Sequence, residues 1–120
     1  MGTLTIGVFS SLIGSMNLDF AVKLAETAAD KGHNVNLWLS GNATTAAKKG
    51  QKEYKDYSYL IKKISGLQKK GVQVAACEAC SEARGIHAGE DIIEGITSIG
   101  MDWYVAKAAK SDRVLHIGVE

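Results

Sequence analysis

Apolar, β-branched runs alternate with amphipathic stretches along this chain, and their order predicts a fold before any chemistry is considered. Leu4-Thr5-Ile6-Gly7-Val8-Phe9, bounded by Ser10-Ser11, reads as a first, central strand. Asn17 is the expected N-cap of a first helix, in which Phe20, Leu24 and Ala28, with Ala21 beside them, recur on one face. That helix runs to about Lys31, whose charge suits a helix C-terminus, and Gly32 stops it. Val35-Asn36-Leu37-Trp38-Leu39 follows as a second strand, leading into Ser40-Gly41-Asn42. A strand, a helix and a strand in such close succession predict a parallel, right-handed crossover.

The pattern weakens from Ala43 to Asp56, where a short helix and then a mobile loop are expected. Tyr57, Leu60, Ile61, Ile64 and Leu67 then form an apolar stripe, with Lys62, Lys63, Lys69 and Lys70 turned outward. This second long helix ends at Gly71 and tolerates Gly66 at about 1 kcal/mol relative to alanine. Gly71-Val72-Gln73-Val74-Ala75-Ala76 reads as a buried parallel strand with Cys77 at its carboxyl end. Gly85 to Asp91 reads as a loop, and Ile92 to Ile96 as a short extended piece or turn. Ile99 to Lys110 is expected to be helical, with Met101, Tyr104, Val105 and Ala108 inward and Trp103, Lys107 and Lys110 on the other face. Arg113 to Ile117 is the last strand. The sum is an α/β fold: a three-layer sandwich with a mainly parallel sheet of about five strands, in one domain over residues 1–120.

Composition narrows the function classes. The chain has 46% hydrophobic and 22% charged residues, as an ordinary globular domain does, and a net charge of +1 gives no whole-chain argument for nucleic acid or an acidic membrane. The distribution is uneven: residues 48–70 carry eight lysines against Glu53 and Asp56, whereas residues 71–120 carry eight acids against four bases. No aromatic residues interleave the later lysines as a nucleic-acid stacking platform requires. No stretch has the length of a membrane span, and Met1 to Ser10 lacks the features of an export signal. Two cysteines without such a signal point to a reducing, cytoplasmic setting.

Those cysteines, Cys77 and Cys80, are the candidate chemistry. The carboxyl edge of an open α/β sheet collects ligands and reactive groups, and a thiol there reacts as its thiolate. An unperturbed thiol is about 3% ionised at pH 7. A helix N-terminus after Cys77 and the cation of Arg84 both favour the thiolate, whereas Glu78 and Glu82 oppose it. If Glu78 to Ala83 is helical, Cys80 shares a face with Cys77 and is placed to act as a resolving thiol. After the first strand, Ser11-Leu12-Ile13-Gly14-Ser15 fits neither GxGxxG nor GK[ST], which argues against a phosphate loop.

The cysteine segment, with Arg84-Gly85 closing it eight residues after Cys77, resembles the reactive-cysteine segment of the DsrE/TusD-type (DsrEFH-like) sulfur-relay proteins. Ser40-Gly41-Asn42 leading to Ala46-Ala47-Lys48-Lys49-Gly50-Gln51 is similar to that family's loop after the second strand. Gly95 to Gly100 and Ser111-Asp112-Arg113-Val114 are similar to its closing helix and strand. The resemblance implies a DsrEFH-like domain that assembles into homo-oligomers or related hetero-oligomers. It further implies that Cys77 accepts sulfur as a persulfide and passes it between donor and acceptor proteins, with Arg84 and Gly85 at the substrate and no cofactor. Cys80 lies outside the minimal family pattern.

Two other chemistries fit the same residues. A dithiol/disulfide oxidoreductase would cycle Cys77 and Cys80 as its main activity. A metal-binding module would use Cys77, Cys80 and His87, but one CxxC without a second pair leaves a closed zinc site short of a fourth ligand. His87 is also near enough in sequence to assist proton transfer, while His33 reads as a solvated turn residue and His116 as a satisfied strand residue.

Overall fold

The computed structural model describes residues 1–11, 15–52 and 60–118. The described elements are β1 (Thr3–Phe9), α1 (Met16–Asp30), β2 (Asn34–Ser40), a 3₁₀ helix (Gly41–Ala47), α2 (Leu60–Lys69), β3 (Gln73–Cys77), α3 (Glu78–Ala83), β4 (Thr97–Ile99), α4 (Asp102–Ala109) and β5 (Arg113–Gly118). The five strands form one parallel sheet in the order β4-β3-β2-β1-β5. The chain therefore steps outward from β1 to β4 and returns through α4 to the other side of β1. β1 is an interior strand, as its apolar sequence requires, while β2 holds the middle of the sheet.

The alternation of side chains along each strand divides the sheet into two faces. Ile6 and Val8, Leu37 and Leu39, and Val74 and Ala76 point to the first face and meet Leu18, Val22, Ile64 and Leu67 of α1 and α2 in the larger core. Phe9, Trp38, Ala75 and Cys77 point to the second face and meet Tyr104 of α4, with Trp103 and Cys80 packed against them. Layers of helix, sheet and helix result, as the sequence predicts. The amino end of the second face is polar but paired: Asn36 Nδ2 donates to Thr5 Oγ1 (3.1 Å), which shares a hydrogen bond with Ser111 Oγ at the end of α4. Ser111 in turn donates to the Lys107 carbonyl, tying α4 to β1.

Four sequence expectations are corrected. The N-cap of α1 is Ser15, whose Oγ accepts the Leu18 N–H at 3.1 Å; Asn17 lies inside the first turn. The buried face of α1 is Leu18, Ala21, Val22, Ala25 and Ala28, and Phe20 is 55% exposed. Three alanines on this face let the helix approach the sheet closely, which a stripe built on Phe20 would prevent. Residues 97–99 form a short strand rather than leading into a helix, because β-branched Thr97 and Ile99 pair with Ala75 and Cys77 of β3. α4 begins only at Asp102, and its inward residue is Tyr104; Met101 and Val105 are exposed, and Trp103 is partly buried against Trp38. The segment after β2 is a 3₁₀ helix beginning at Gly41. Of the α2 stripe, Ile64 and Leu67 are fully buried, while Tyr57 and residues 53–56 of the expected loop lie outside the described residues.

At Gly7 the Tyr104 side chain of α4 packs directly on the backbone of β1. A Cβ there would stand 2.5 Å from the Tyr104 hydroxyl oxygen and 2.8 Å from a Phe9 ring carbon. Gly7→Ala is therefore expected to destabilise the protein by about 1–3 kcal/mol through overpacking, read as a lowered urea midpoint with an unchanged slope.

Candidate functional site

β2 and β3 are parallel neighbours, so their carboxyl ends leave the sheet side by side. β3 ends at Cys77, which is also the N-cap residue of α3, with extended backbone (φ −62°, ψ 120°). One turn on, Cys80 returns to the same side and packs against the cluster that holds Cys77, so that each thiol perturbs the ionisation of the other. Both are free thiols; Cys77 is buried and Cys80 partly exposed. β2 ends at Ser40, and Gly41 takes positive φ (60°) as the chain enters the 3₁₀ helix. That turn brings Ser40 Oγ within 3.7 Å of Cys80 Sγ and sets the Gly41 N–H where it favours the thiolate of the same residue.

Arg84 closes the arrangement from the end of α3. Its Nε donates to Asn42 Oδ1 and its guanidinium NH1 to the Cys80 carbonyl, both at 3.0 Å. It thereby ties α3 to the 3₁₀ helix. Gly85, at φ 73°, terminates α3, and the next N–H, from Ile86, bonds back to the Ser81 carbonyl.

The electrostatics of the two thiols differ in sign. Burial pushes the Cys77 thiol up, and neighbouring Cys80 adds to the rise; the N–H groups of Cys80 and Ala79 oppose it without reversing it. Burial also works against ionisation of Cys80. Hydrogen bonds from Cys77, the Gly41 N–H and Ser40, with the charge of Arg84, outweigh it and hold Cys80 below the ordinary thiol value. Cys80 is thus the more acidic partner, and the Arg84 charge acts there.

His87 is engaged elsewhere: its Nδ1 lies 2.8 Å from Glu82 Oε2, and its backbone N–H donates to Asp91 Oδ2. Among the described residues no group of three or more His, Cys, Asp or Glu is placed to hold a metal ion, so Cys77, Cys80 and His87 do not converge. The Glu82 carboxylate, first through its hydrogen bond and then its charge, raises the His87 pKa above 6.5. The pairing is therefore complete below pH 6.5 and is lost as pH rises through the raised value. Glu82→Gln is expected to return the His87 titration, followed by NMR of its ring protons, toward 6.5. His33 Nδ1 accepts the Gly2 N–H at 3.0 Å, and His116 stacks on Phe9 with ring centroids 4.0 Å apart.

Clefts of about 470 and 380 Å³ lie at the opposite, amino-end edge of the sheet, lined by Gly71 to Val74 with Gly95 and by Gly2 to Leu4 with His33. The thiols instead sit at the carboxyl end of β3 beside an aromatic floor, where Trp38 stacks with Trp103 and with Tyr104 at 5.9 Å each. Ser40, Gly41 and Asn42 are the site residues to which sequence reasoning gave no role. The signal that could have found them is topological: in a parallel sheet, the turn after the neighbouring strand must border the turn that carries the thiols. Among the described residues no helix is long and apolar enough to cross a membrane.

The comparisons agree with this architecture. Over 97% of this chain and 99% of its counterpart, the fold matches the crystal structure of the ychN protein from E. coli with a TM-score of 0.86 at 24% identity. It also matches MTH1491, a protein of unknown function from Methanobacterium thermoautotrophicum, with a TM-score of 0.75 at 14% identity over 97% and 99% of the two chains. In sequence, the chain is 30% identical over 112 residues to the uncharacterized protein MK0008 of Methanopyrus kandleri, covering 93% of this chain and 91% of that protein. It is 36% identical over 97 residues to the uncharacterized protein MJ0989 of Methanocaldococcus jannaschii, covering 79% and 82%. The pattern of the DsrE/DsrF-like family matches residues 5–117, from the first strand to the last, and the chain belongs to that family.

Proposed function

We propose that this protein is a sulfur-relay carrier that holds sulfane sulfur as a persulfide on Cys77 and hands it to a partner thiol. The observation that supports this reading best is the placement of Cys77 at the carboxyl end of β3, one helical turn before the partly exposed Cys80. Loading proceeds by attack of the Cys77 sulfur on the outer sulfur of a donor persulfide, which releases the donor thiolate. Unloading is the same exchange with an acceptor thiolate, and neither step changes the net oxidation state.

Intact-protein mass after incubation with inorganic polysulfide tests the reading. A gain of roughly 32 Da that reductant removes and peptide mapping places on Cys77 is the expected result. A loss of about two hydrogens with no sulfur gain would instead mean a Cys77–Cys80 disulfide and the oxidoreductase chemistry.

Self-association belongs to the same reading. α4 is one short helix over the second face of a five-stranded sheet, and Ile99, Met101, Val105 and Val114 are 37–58% exposed there or on α4. A second copy would cover them. Val105→Glu is expected to shift the sedimentation coefficient toward the monomer; an unaltered oligomer, or a monomeric wild type, would sink this assignment.

A further inference from the structure

We propose that Cys80 is the proton acceptor for Cys77 during sulfur uptake, and that Arg84, through Asn42, is the positioning residue that holds it in place. This deepens the carrier reading and rests on it. The geometry separates the two thiols by role. Cys77 is buried among Phe9, Trp38, Ala75 and Tyr104, where an isolated thiolate is costly. Cys80 has Ser40 Oγ at 3.7 Å, and the Gly41 N–H and the Cys77 thiol also act as donors that favour its thiolate. Ser40 is 4% exposed, so its hydroxyl has little water to turn to and is available to donate when Cys80 is ionised.

Two of these donors belong to the β2 corner and Cys80 belongs to α3, so their meeting depends on how those elements are joined. The fork of Arg84 makes that join, with one arm on the carbonyl of Cys80 and the other on Asn42. Few other titratable groups surround the pair among the described residues. Glu78 and Glu82 lie on α3 and the 3₁₀ helix carries none; α4 brings Tyr104, held neutral by burial, and Lys107, seated over the Trp103 ring at 5.6 Å.

In the proposed step the Cys77 sulfur bonds to the outer sulfur of the donor persulfide R–S–SH, whose S–S bond breaks. The Cys77 proton passes to the Cys80 thiolate, and R–S⁻ leaves. The products are Cys77–S–SH, Cys80–SH and the donor thiolate, with protons, charge and oxidation state balanced. On unloading, the acceptor thiolate takes the outer sulfur and Cys77–S⁻ recovers its proton from Cys80. Cys80 never bonds to the Cys77 sulfur, which distinguishes this role from that of a resolving thiol.

The test is the rate of Cys77 persulfidation by inorganic polysulfide from pH 6 to 10, followed by mass for wild type, Cys80→Ser, Arg84→Gln and Asn42→Ala. Cys80→Ser is expected to load Cys77 to the same final extent but on the order of tenfold more slowly at pH 7, and to regain the lost rate as pH rises. Arg84→Gln and Asn42→Ala, which keep both thiols, are expected to shift the inflection of the rate profile to higher pH, a change that lost stability alone does not cause. A Cys80→Ser profile that superimposes on wild type overturns the role of Cys80, and unmoved profiles for both Arg84→Gln and Asn42→Ala overturn that of Arg84. Wild-type protein that acquires no sulfur on Cys77 at any pH overturns the carrier reading itself, and is distinct from either result.

Discussion

Cys77→Ser is expected to abolish persulfide loading while leaving the protein folded. A serine hydroxyl has no accessible anion near neutral pH and forms no persulfide, so the effect is loss of signal rather than a slower rate. The fold should persist because the substitution nearly conserves volume at a site 8% exposed, and a serine at the N-cap of α3 can accept an N–H of the first turn. A cost of about 1 kcal/mol is reasonable for one altered, still-paired polar group. The measurement is intact mass after polysulfide treatment, with circular dichroism to establish folding. A 32 Da gain, roughly one sulfur, in Cys77→Ser that maps to Cys80 would reassign the carrier to the more acidic thiol.

The largest stability effect is expected at Trp38. It is fully buried in the middle strand, and its ring lies between the sheet and α4, stacked with both Trp103 and Tyr104. Trp38→Ala removes this contact from the smaller of the two cores, whose other large buried members among the described residues are Phe9 and Tyr104. A loss of about 3–5 kcal/mol follows. Set against a total of about 5–15 kcal/mol for a domain of ordinary stability, that unfolds a sizeable fraction of molecules on mild warming. Trp38→Phe is expected to cost less, since it keeps a ring and deletes an Nε1–H that has no partner among the described residues. Urea unfolding followed by far-ultraviolet circular dichroism gives both values. A Trp38→Ala loss below about 1 kcal/mol would mean that α4 is held chiefly by Ser111 and Tyr104. Because Cys77 belongs to the same cluster, Trp38→Ala should also speed alkylation of Cys77 by iodoacetamide.

The order of strands and helices was legible because period-2 and period-3.6 patterns are local properties of sequence. β1, β2, β3 and β5 fall where their apolar runs predict, and Gly32 and Gly71 sit at helix ends with φ near 90°. What failed was rotation about an axis. Phe20 and Leu18 both fit a helical stripe, and only the sheet beneath α1 selects the alanine-rich one. Likewise Thr97 to Ile99 is too short to declare itself a strand until β3 offers it a partner.

The site divides in the same way. The spacing of Cys77 and Cys80 and the position of Cys77 at the end of an apolar strand are written in the sequence, as is the Arg84-Gly85 pair that closes the segment. The order of acidity of the two thiols is not. It arises because parallel pairing of β2 with β3 sets Ser40 and Gly41, some forty residues upstream, against Cys80, while the aromatic floor desolvates Cys77. Sequence by itself determined which thiols exist, how they are spaced and on which edge of the sheet they emerge. Only the tertiary structure decided which is stabilised as an anion, because desolvation and the convergence of hydrogen-bond donors are properties of neighbours brought together across strands.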